Sequence, residues 1–185
     1  VELVQASDKS ILQLMTGSIV EVLYNIIEDQ EYTNAPRLQH PEDSIRQSAL
    51  ALLGDIAIAA FPLIQPHLAE IMPSVIQQIE IDPPSSHISV CNNATWAVGE
   101  IALQPLQIVC KMKCDEDSRI RTHTSLTATP LQPFVAPIIE RLVPILCNSR
   151  SPRSLSENAA VTIGRIGLVC PAPIAPHLEH FAKQW

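Results

Sequence analysis

Cysteine and histidine residues give the most direct chemical signal in this chain. Cys110 and Cys114 are separated by three residues, and His123 follows nearby. Thiolates and imidazoles at such spacing can hold zinc, but a structural zinc site uses four ligands and no second Cys or His pair completes the set. We therefore expect no metal site. Three other cysteines lie in or beside predicted helices and are interpreted as small core residues: Cys91, Cys147 and Cys170.

The sequence contains no recognisable catalytic arrangement. His67 and His177 both follow a proline in the sequence PHL, which favours a position at a helix start over a role in catalysis. Serine, histidine and aspartate occur without a motif that would bring them together. A phosphate-binding glycine loop and a paired-carboxylate signature are also missing from the sequence. The chain is predicted not to be an enzyme and to need no cofactor.

Trp96 is the residue best suited to binding a ligand. Within the stretch Ser89 to Ala102, it lies about 200° round the helix from Ala94, which belongs to the apolar stripe. The face that carries Trp96 also carries Asn92 and Glu100 and is otherwise polar. A large ring there either anchors a ligand, as tryptophan does at many recognition sites, or packs against a neighbouring helix. Helical spacing alone leaves both interpretations open.

The elements that position Trp96 are predicted to be helices. Sixteen prolines against five glycines, with 4% aromatic residues, favour aliphatic helices joined by proline-marked turns over a sheet. Apolar residues recur at spacings of three and four in seven segments. These segments are 10–29, 41–61, 66–81, 88–104, 133–148, 155–169 and 173–185. The predicted class is all-α.

Three of the predicted helices share one pattern. The segments RQSALALLGDIA, CNNATWAVGEIA and SENAAVTIGRIG align without a gap on Gly54, Gly99 and Gly164. Gly99 lies 45 positions after Gly54, a period typical of HEAT repeats. The sequence therefore predicts a HEAT-repeat α-solenoid of about three to four repeats over 1–185, in which antiparallel helix pairs stack in a right-handed superhelix. Because a glycine inside a helix is costly, close packing of helices is the predicted reason why glycine recurs at this position of the repeat.

An atypical insert interrupts the repeat. Gly164 lies 65 positions after Gly99, and a surplus of 22 residues falls between Gln104 and Pro133. The segment 105–130 is polar, aperiodic and of mixed charge, so it is expected to be disordered. It is either a genuine loop or retained intron sequence.

Stacking the aligned helices side by side predicts a groove around Trp96. The small residues Ala51 and Val161 occupy the positions equivalent to Trp96 in the neighbouring repeats. Asp55 and Glu100 are expected to form an acidic row one turn further on. The predicted result is an aromatic anchor with an acidic border.

Charge and composition narrow the class of partner. The net charge of −7 disfavours nucleic acid and favours a basic ligand. Five irregularly spaced cysteines fit a reducing compartment, and no window of 18 consecutive apolar residues predicts a membrane span. The sequence starts at Val1 without a methionine and stops at Trp185 inside a predicted helix, so we expect a piece of a longer protein.

Three stretches carry a family resemblance. SIRQSALALLGD, SVCNNATWAVGEIA and SENAAVTIGRIGLVCP closely resemble the C-terminal HEAT repeats of the transportins, the importin-β-type nuclear import receptors also called karyopherin-β2. The matching segments are Pro41 to Gln104 and Pro133 to Trp185, whereas Pro105 to Pro130 matches nothing in the family. The resemblance covers only a small fraction of such a receptor.

The resemblance implies a binding surface for cargo. In the transportins, inner helices line an acidic concave surface that holds basic proline-tyrosine nuclear localisation signals. The family's tryptophan in the NNATW block, which contacts the N-terminal hydrophobic or basic part of the signal, matches Trp96. Asp55, Ile88 and Val161 match other positions of the same cargo region.

The resemblance also implies partners and location. Ran GTPase would engage N-terminal repeats that this chain lacks, and nucleoporins would bind the full-length receptor, which shuttles between cytoplasm and nucleus. We therefore expect a cargo-binding fragment of an import receptor that takes basic proline-tyrosine signals, and no nucleic acid or membrane. The alternative is a HEAT scaffold that organises a protein assembly without import activity.

Overall fold

All regular elements in the described part of the chain are helices. The computed structural model describes residues 41–115 and 130–179, with side chains for 41–105 and 130–179. The helices are α1 (Asp43–Ile64), α2 (Leu68–Gln77), α3 (Ile88–Asp115), α4 (Val135–Cys147), α5 (Arg153–Val169) and α6 (Pro171–Ile174). The predicted all-α class is confirmed. The predicted helix 10–29 and the end of the helix 173–185 lie outside the described residues.

Proline-marked turns separate the helices as expected. Short 3₁₀ segments at Gln65–His67, Gln132–Phe134 and Ala175–His177 each carry a proline as their second residue. Proline suits this position because a helix start does not need its N–H, and its ring already has a helical φ. The same turn therefore recurs after α1, before α4 and after α6.

The helix α1 is kinked near its C-terminal end. Ala60 has φ −150° and ψ 45°, outside the helical region, and Pro62 follows it inside the helix. Pro62 cannot donate the usual hydrogen bond to the preceding turn, so the helix bends there. The predicted end of this helix at Phe61 lies at this kink.

Residues Asp43–Gln77 are long and apolar enough to cross a membrane by length and composition alone. However, 56% of the most apolar window of this stretch is buried inside the protein. The kink at Ala60 and the 3₁₀ turn Gln65–His67 also interrupt the stretch Asp43–Gln77. A buried core helix gives the same signal as a membrane span on this criterion. The stretch is therefore interpreted as part of the helical core.

The third helix runs further than its sequence suggests. Instead of ending at Gln104, α3 continues through Pro105 to Asp115. The first part of segment 105–130 is therefore helical, which corrects the expectation of disorder for residues 105–115. A proline inside a helix removes one backbone hydrogen bond and crowds the preceding turn. The helix α3 tolerates this cost at Pro105 and continues beyond it. Residues 116–129 lie outside the described residues.

Two layers of helices enclose one apolar core. The inner helices α1, α3 and α5 lie side by side, while α2 contacts α3 and α4, and α4 packs on α5. Each fully buried Leu or Ile side chain contributes about 1.5 to 3 kcal/mol. The largest fully buried side chains come from both layers and include Leu50, Leu53, Ile56, Met72, Ile101, Ile138 and Leu142. This arrangement confirms the predicted HEAT-type stack.

Close helix packing accounts for two of the three repeated glycines. An ideal Cβ at Gly99 would lie 2.6 Å from Thr162 Oγ1 on α5. A Cβ at Gly54 would collide with the Trp96 ring, whose Cε3 and Cη2 atoms would lie 2.7 Å away. At Gly164 such an atom would meet nothing within 4 Å. The space beside the repeated glycine is filled at Gly54 and Gly99, where another inner helix packs alongside. Within the described residues, no further inner helix follows Gly164.

We predict that Cys91 resists alkylation in the folded protein. Its thiol is fully buried in α3, and burial raises its pKa from 9.0 to about 11. The neutral thiol favours folding up to pH 9.0, and this contribution is lost as the pH rises towards about 11. Iodoacetamide labelling at pH 8.5 with peptide mass mapping should modify the half-buried Cys147 and Cys170 before Cys91. Equal rates for Cys91 and Cys147 would contradict its burial.

Candidate functional site

Trp96 lies at the seam between two inner helices. It projects from α3 towards α1, where the six-membered edge of its indole rests on the backbone at Gly54. The side chain is half-buried, so part of the ring stays accessible. One edge of the ring therefore packs against a helix, as the packing interpretation predicts, and binding of a ligand by the accessible part stays a prediction.

The residues predicted to flank Trp96 lie on the inner helices to either side of α3. Ala51 is half-buried and precedes Gly54 by about one helical turn on α1. On α5, Val161 is 50% exposed and adjoins Thr162, whose hydroxyl donates a hydrogen bond of 2.9 Å to the carbonyl of Thr95. Three adjacent helices thus bring the predicted neighbours Ala51 and Val161 to either side of α3.

Side-chain amides join the three inner helices near Trp96. Asn93 Nδ2 donates to the Gln47 carbonyl on α1 at 3.0 Å, and Asn158 Nδ2 on α5 donates to Asn92 Oδ1 at 2.9 Å. Each of these bonds leaves further donor or acceptor capacity on the amides. Asn92 is half-buried in this row, and the row fixes the register of the helices. Ile88, also half-buried, begins α3 two turns before Trp96.

Both residues of the predicted acidic row are buried in the helix stack. Asp55 is only 2% exposed and Glu100 only 7% exposed. Glu100 forms an ion pair of 2.5 Å with Arg165 of α5, and the Arg165 side chain also covers Gly99. The expectation of an open acidic border at these two residues is therefore revised: Glu100 stabilises the contact between α3 and α5. The repeat alignment places Arg165 at the position equivalent to Glu100 on the next inner helix, but the pairing of the two side chains is seen only in the structure.

Glu157 is the exposed carboxylate that the analysis of Trp96 neighbours did not single out. It lies on α5 one turn before Val161, with its side chain 61% exposed, and pairs with Arg153 at 2.7 Å. This hydrogen bond and the charge of Glu157 raise the pKa of Arg153. Exposed pairs of this kind exchange readily with other charges in water. Glu157 had a signal in the sequence, since it shares a helix face with Val161.

The described residues contain no group of three or more His, Cys, Asp or Glu side chains that could hold a metal. Cys110 lies in the part of α3 without described side chains, and His123 lies outside the described residues. The predicted absence of a zinc site there stays a prediction. The described geometry comprises a half-buried aromatic ring and a row of side-chain amides on the inner helices, together with an exposed carboxylate on α5.

Comparisons with curated proteins agree on one family of relatives. Transportin-1 of Mus musculus and of Homo sapiens are each 35% identical to the chain over 177 residues, 95% of this chain and 16% of the relative. Importin subunit beta-2 of Schizosaccharomyces pombe is 36% identical over 141 residues, 76% of this chain and 13% of the relative. The chain thus spans about a sixth of the length of the mouse and human relatives. No protein-family profile matches the chain.

We predict that Glu100→Gln destabilises the fold. The substitution keeps the shape of the side chain but leaves Arg165 without its charged partner between α3 and α5. A loss of roughly 1 to 4 kcal/mol is expected, between the values for exposed and for buried ion pairs. Urea unfolding followed by circular dichroism measures it. The matched control is Glu157→Gln in an exposed pair, which should leave the midpoint unchanged; an equal loss in both variants would contradict the role of Glu100.

Proposed function

The chain belongs to the transportin family, and on this premise we propose that it is part of a nuclear import receptor whose inner-helix face binds cargo. The ligand is an extended, basic signal segment of the proline-tyrosine type. The observation that supports this most directly is the Trp96 ring, which is held at one edge by α1 and left accessible elsewhere on a polar surface. Tryptophan in such a setting is a frequent binding hot spot.

Each proposed site residue has a distinct role. Trp96 accepts an apolar side chain of the signal on its accessible ring, and the small Ala51 leaves room beside that ring. Ile88 and Val161 extend the apolar contact along the face, and Asn92 hydrogen-bonds the extended main chain through its amide.

In this proposal, the buried acidic residues have a different role from the exposed one. Asp55 and Glu100 are buried, so they shape the helix stack and its local field and do not form open contacts with the ligand. Glu157, which is exposed, meets basic side chains of the signal. The net charge of −7 attracts such a segment at longer range.

The partners of the whole receptor follow from the same premise. We infer that Ran GTPase and nucleoporins engage parts of the longer protein that this chain does not contain. The receptor shuttles between cytoplasm and nucleus, and neither nucleic acid, membrane nor cofactor takes part in binding at this face.

The expected outcome for Trp96→Ala is a loss of peptide affinity of about 30-fold, the size typical of a hot-spot residue. The probe is a labelled synthetic peptide with an apolar segment, then arginines and lysines, then a Pro-Tyr pair. Fluorescence anisotropy with the full chain measures binding. Ile81→Ala is a suitable control, because Ile81 is an exposed apolar residue that lies between α2 and α3 and not on an inner helix.

A second function, a HEAT scaffold without import activity, predicts a different result. A scaffold that uses its outer helices would bind the peptide weakly or with equal affinity in the parent chain and in Trp96→Ala. Added salt should weaken peptide binding if basic residues contribute, since screening reduces the attraction to Glu157 and to the net negative charge. Binding that depends on neither Trp96 nor salt would favour the scaffold.

A further inference from the structure

We propose that Gly54 is a positioning residue for Trp96: its missing side chain creates the slot that fixes the depth and orientation of the indole. This inference rests on the proposed function, because it assigns to Gly54 a role in presenting the ring to a ligand. It concerns a residue that contacts no ligand itself and acts only through Trp96.

The contact geometry supports this role directly. A Cβ built on Gly54 would lie within 2.7 Å of Cε3 and Cη2 of Trp96, and closer still to Cζ3. Such separations do not occur between real atoms, so any side chain at position 54 must displace the ring or separate α1 from α3. The atoms in contact form the edge of the indole opposite its N–H. Gly54 therefore holds the six-membered edge and turns the N–H edge away from α1.

The orientation of the ring matters because one edge of the indole packs against α1 while another part of the side chain is accessible to solvent. A half-buried tryptophan with one edge fixed presents the same accessible surface to every ligand molecule and loses little rotamer freedom on binding. If the edge is expelled from the slot, the ring samples several orientations and its accessible surface changes. Ligand affinity should then fall even though every ligand-contacting residue is still present.

The repeat supplies two matched controls at the same helix position. Gly99 is also close-packed, but the atoms nearest to a Cβ there belong to Thr162 and Arg165, so Gly99→Ala perturbs the contact between α3 and α5. Gly164 has no neighbour within 4 Å, so Gly164→Ala tests the effect of alanine alone. The three alanine variants thus separate ring displacement from general loss of packing and from helix propensity.

The experiment measures ring environment and peptide affinity in the same proteins. The full chain carries two tryptophans, so Trp185→Phe is introduced throughout to make Trp96 the only one. Emission maximum and acrylamide quenching report on Trp96, and anisotropy with the apolar-basic Pro-Tyr peptide reports on binding. Gly54→Ala should shift Trp96 emission to the red, increase its quenching and weaken binding about tenfold or more, as expected when a hot-spot residue is misplaced.

The controls decide between the possible outcomes. Gly99→Ala and Gly164→Ala should leave emission and affinity unchanged in the folded protein. An unchanged affinity in Gly54→Ala, or an equal loss in Gly99→Ala, overturns the inference. Trp96→Ala is measured beside them: if it binds as well as the parent chain, the proposed function fails, whereas a loss in Trp96→Ala without a loss in Gly54→Ala overturns only the role of Gly54.

A smaller ring keeps the test valid if Gly54→Ala does not fold. Trp96→Phe shortens the side chain, so the double variant Gly54→Ala with Trp96→Phe should regain the circular dichroism of a folded helical protein. Because the shorter ring no longer meets the added methyl group, the peptide affinity of this double variant should equal that of Trp96→Phe alone. A lower affinity of the double variant would show that Gly54→Ala acts on binding without the indole, and would overturn the positioning role.

Discussion

The close approach of the inner helices is the constraint on which the rest of the structure depends. Where α1 meets α3, the bare backbone at Gly54 receives the Trp96 ring, and where α3 meets α5, Gly99 receives Thr162 and Arg165. Glycine costs about 1 kcal/mol in a helix interior, and this cost is offset because the facing side chains pack without a void. The amide row and the buried ion pair also join these helices and help to fix their register.

This packing decides which charges face the solvent. Burial of Asp55 and Glu100 removes two carboxylates from the surface that lies nearest to Trp96. The ion pair with Arg165 compensates the charge of Glu100 inside the helix stack, where an unpaired charge would be costly. In the proposed function, recognition at this face therefore relies on an aromatic ring and neutral amides at short range. The proposed attraction of a basic ligand depends on the exposed Glu157 and on the overall negative charge.

Much of the fold was predictable because local rules and tertiary packing agree. Apolar spacing located the described helices, and the recurring proline turn located several of their starts, since both signals are local. The predicted helix end at Gln104 was too early, because segment 105–130 shows no clean helical period although α3 continues to Asp115. The kink at Ala60 has its cause in Pro62, and the helix predicted over 41–61 ended just before this proline.

By itself, the sequence determined the all-α class, the repeat and the face of the helix on which Trp96 lies, because each follows from periodicity along one helix. Only the tertiary structure decided how that face is used. It placed the indole edge on Gly54, paired Glu100 with Arg165 and left Val161 half exposed. These relations join residues that are far apart in sequence, and they depend on distances between neighbouring helices that no pattern within a single helix specifies.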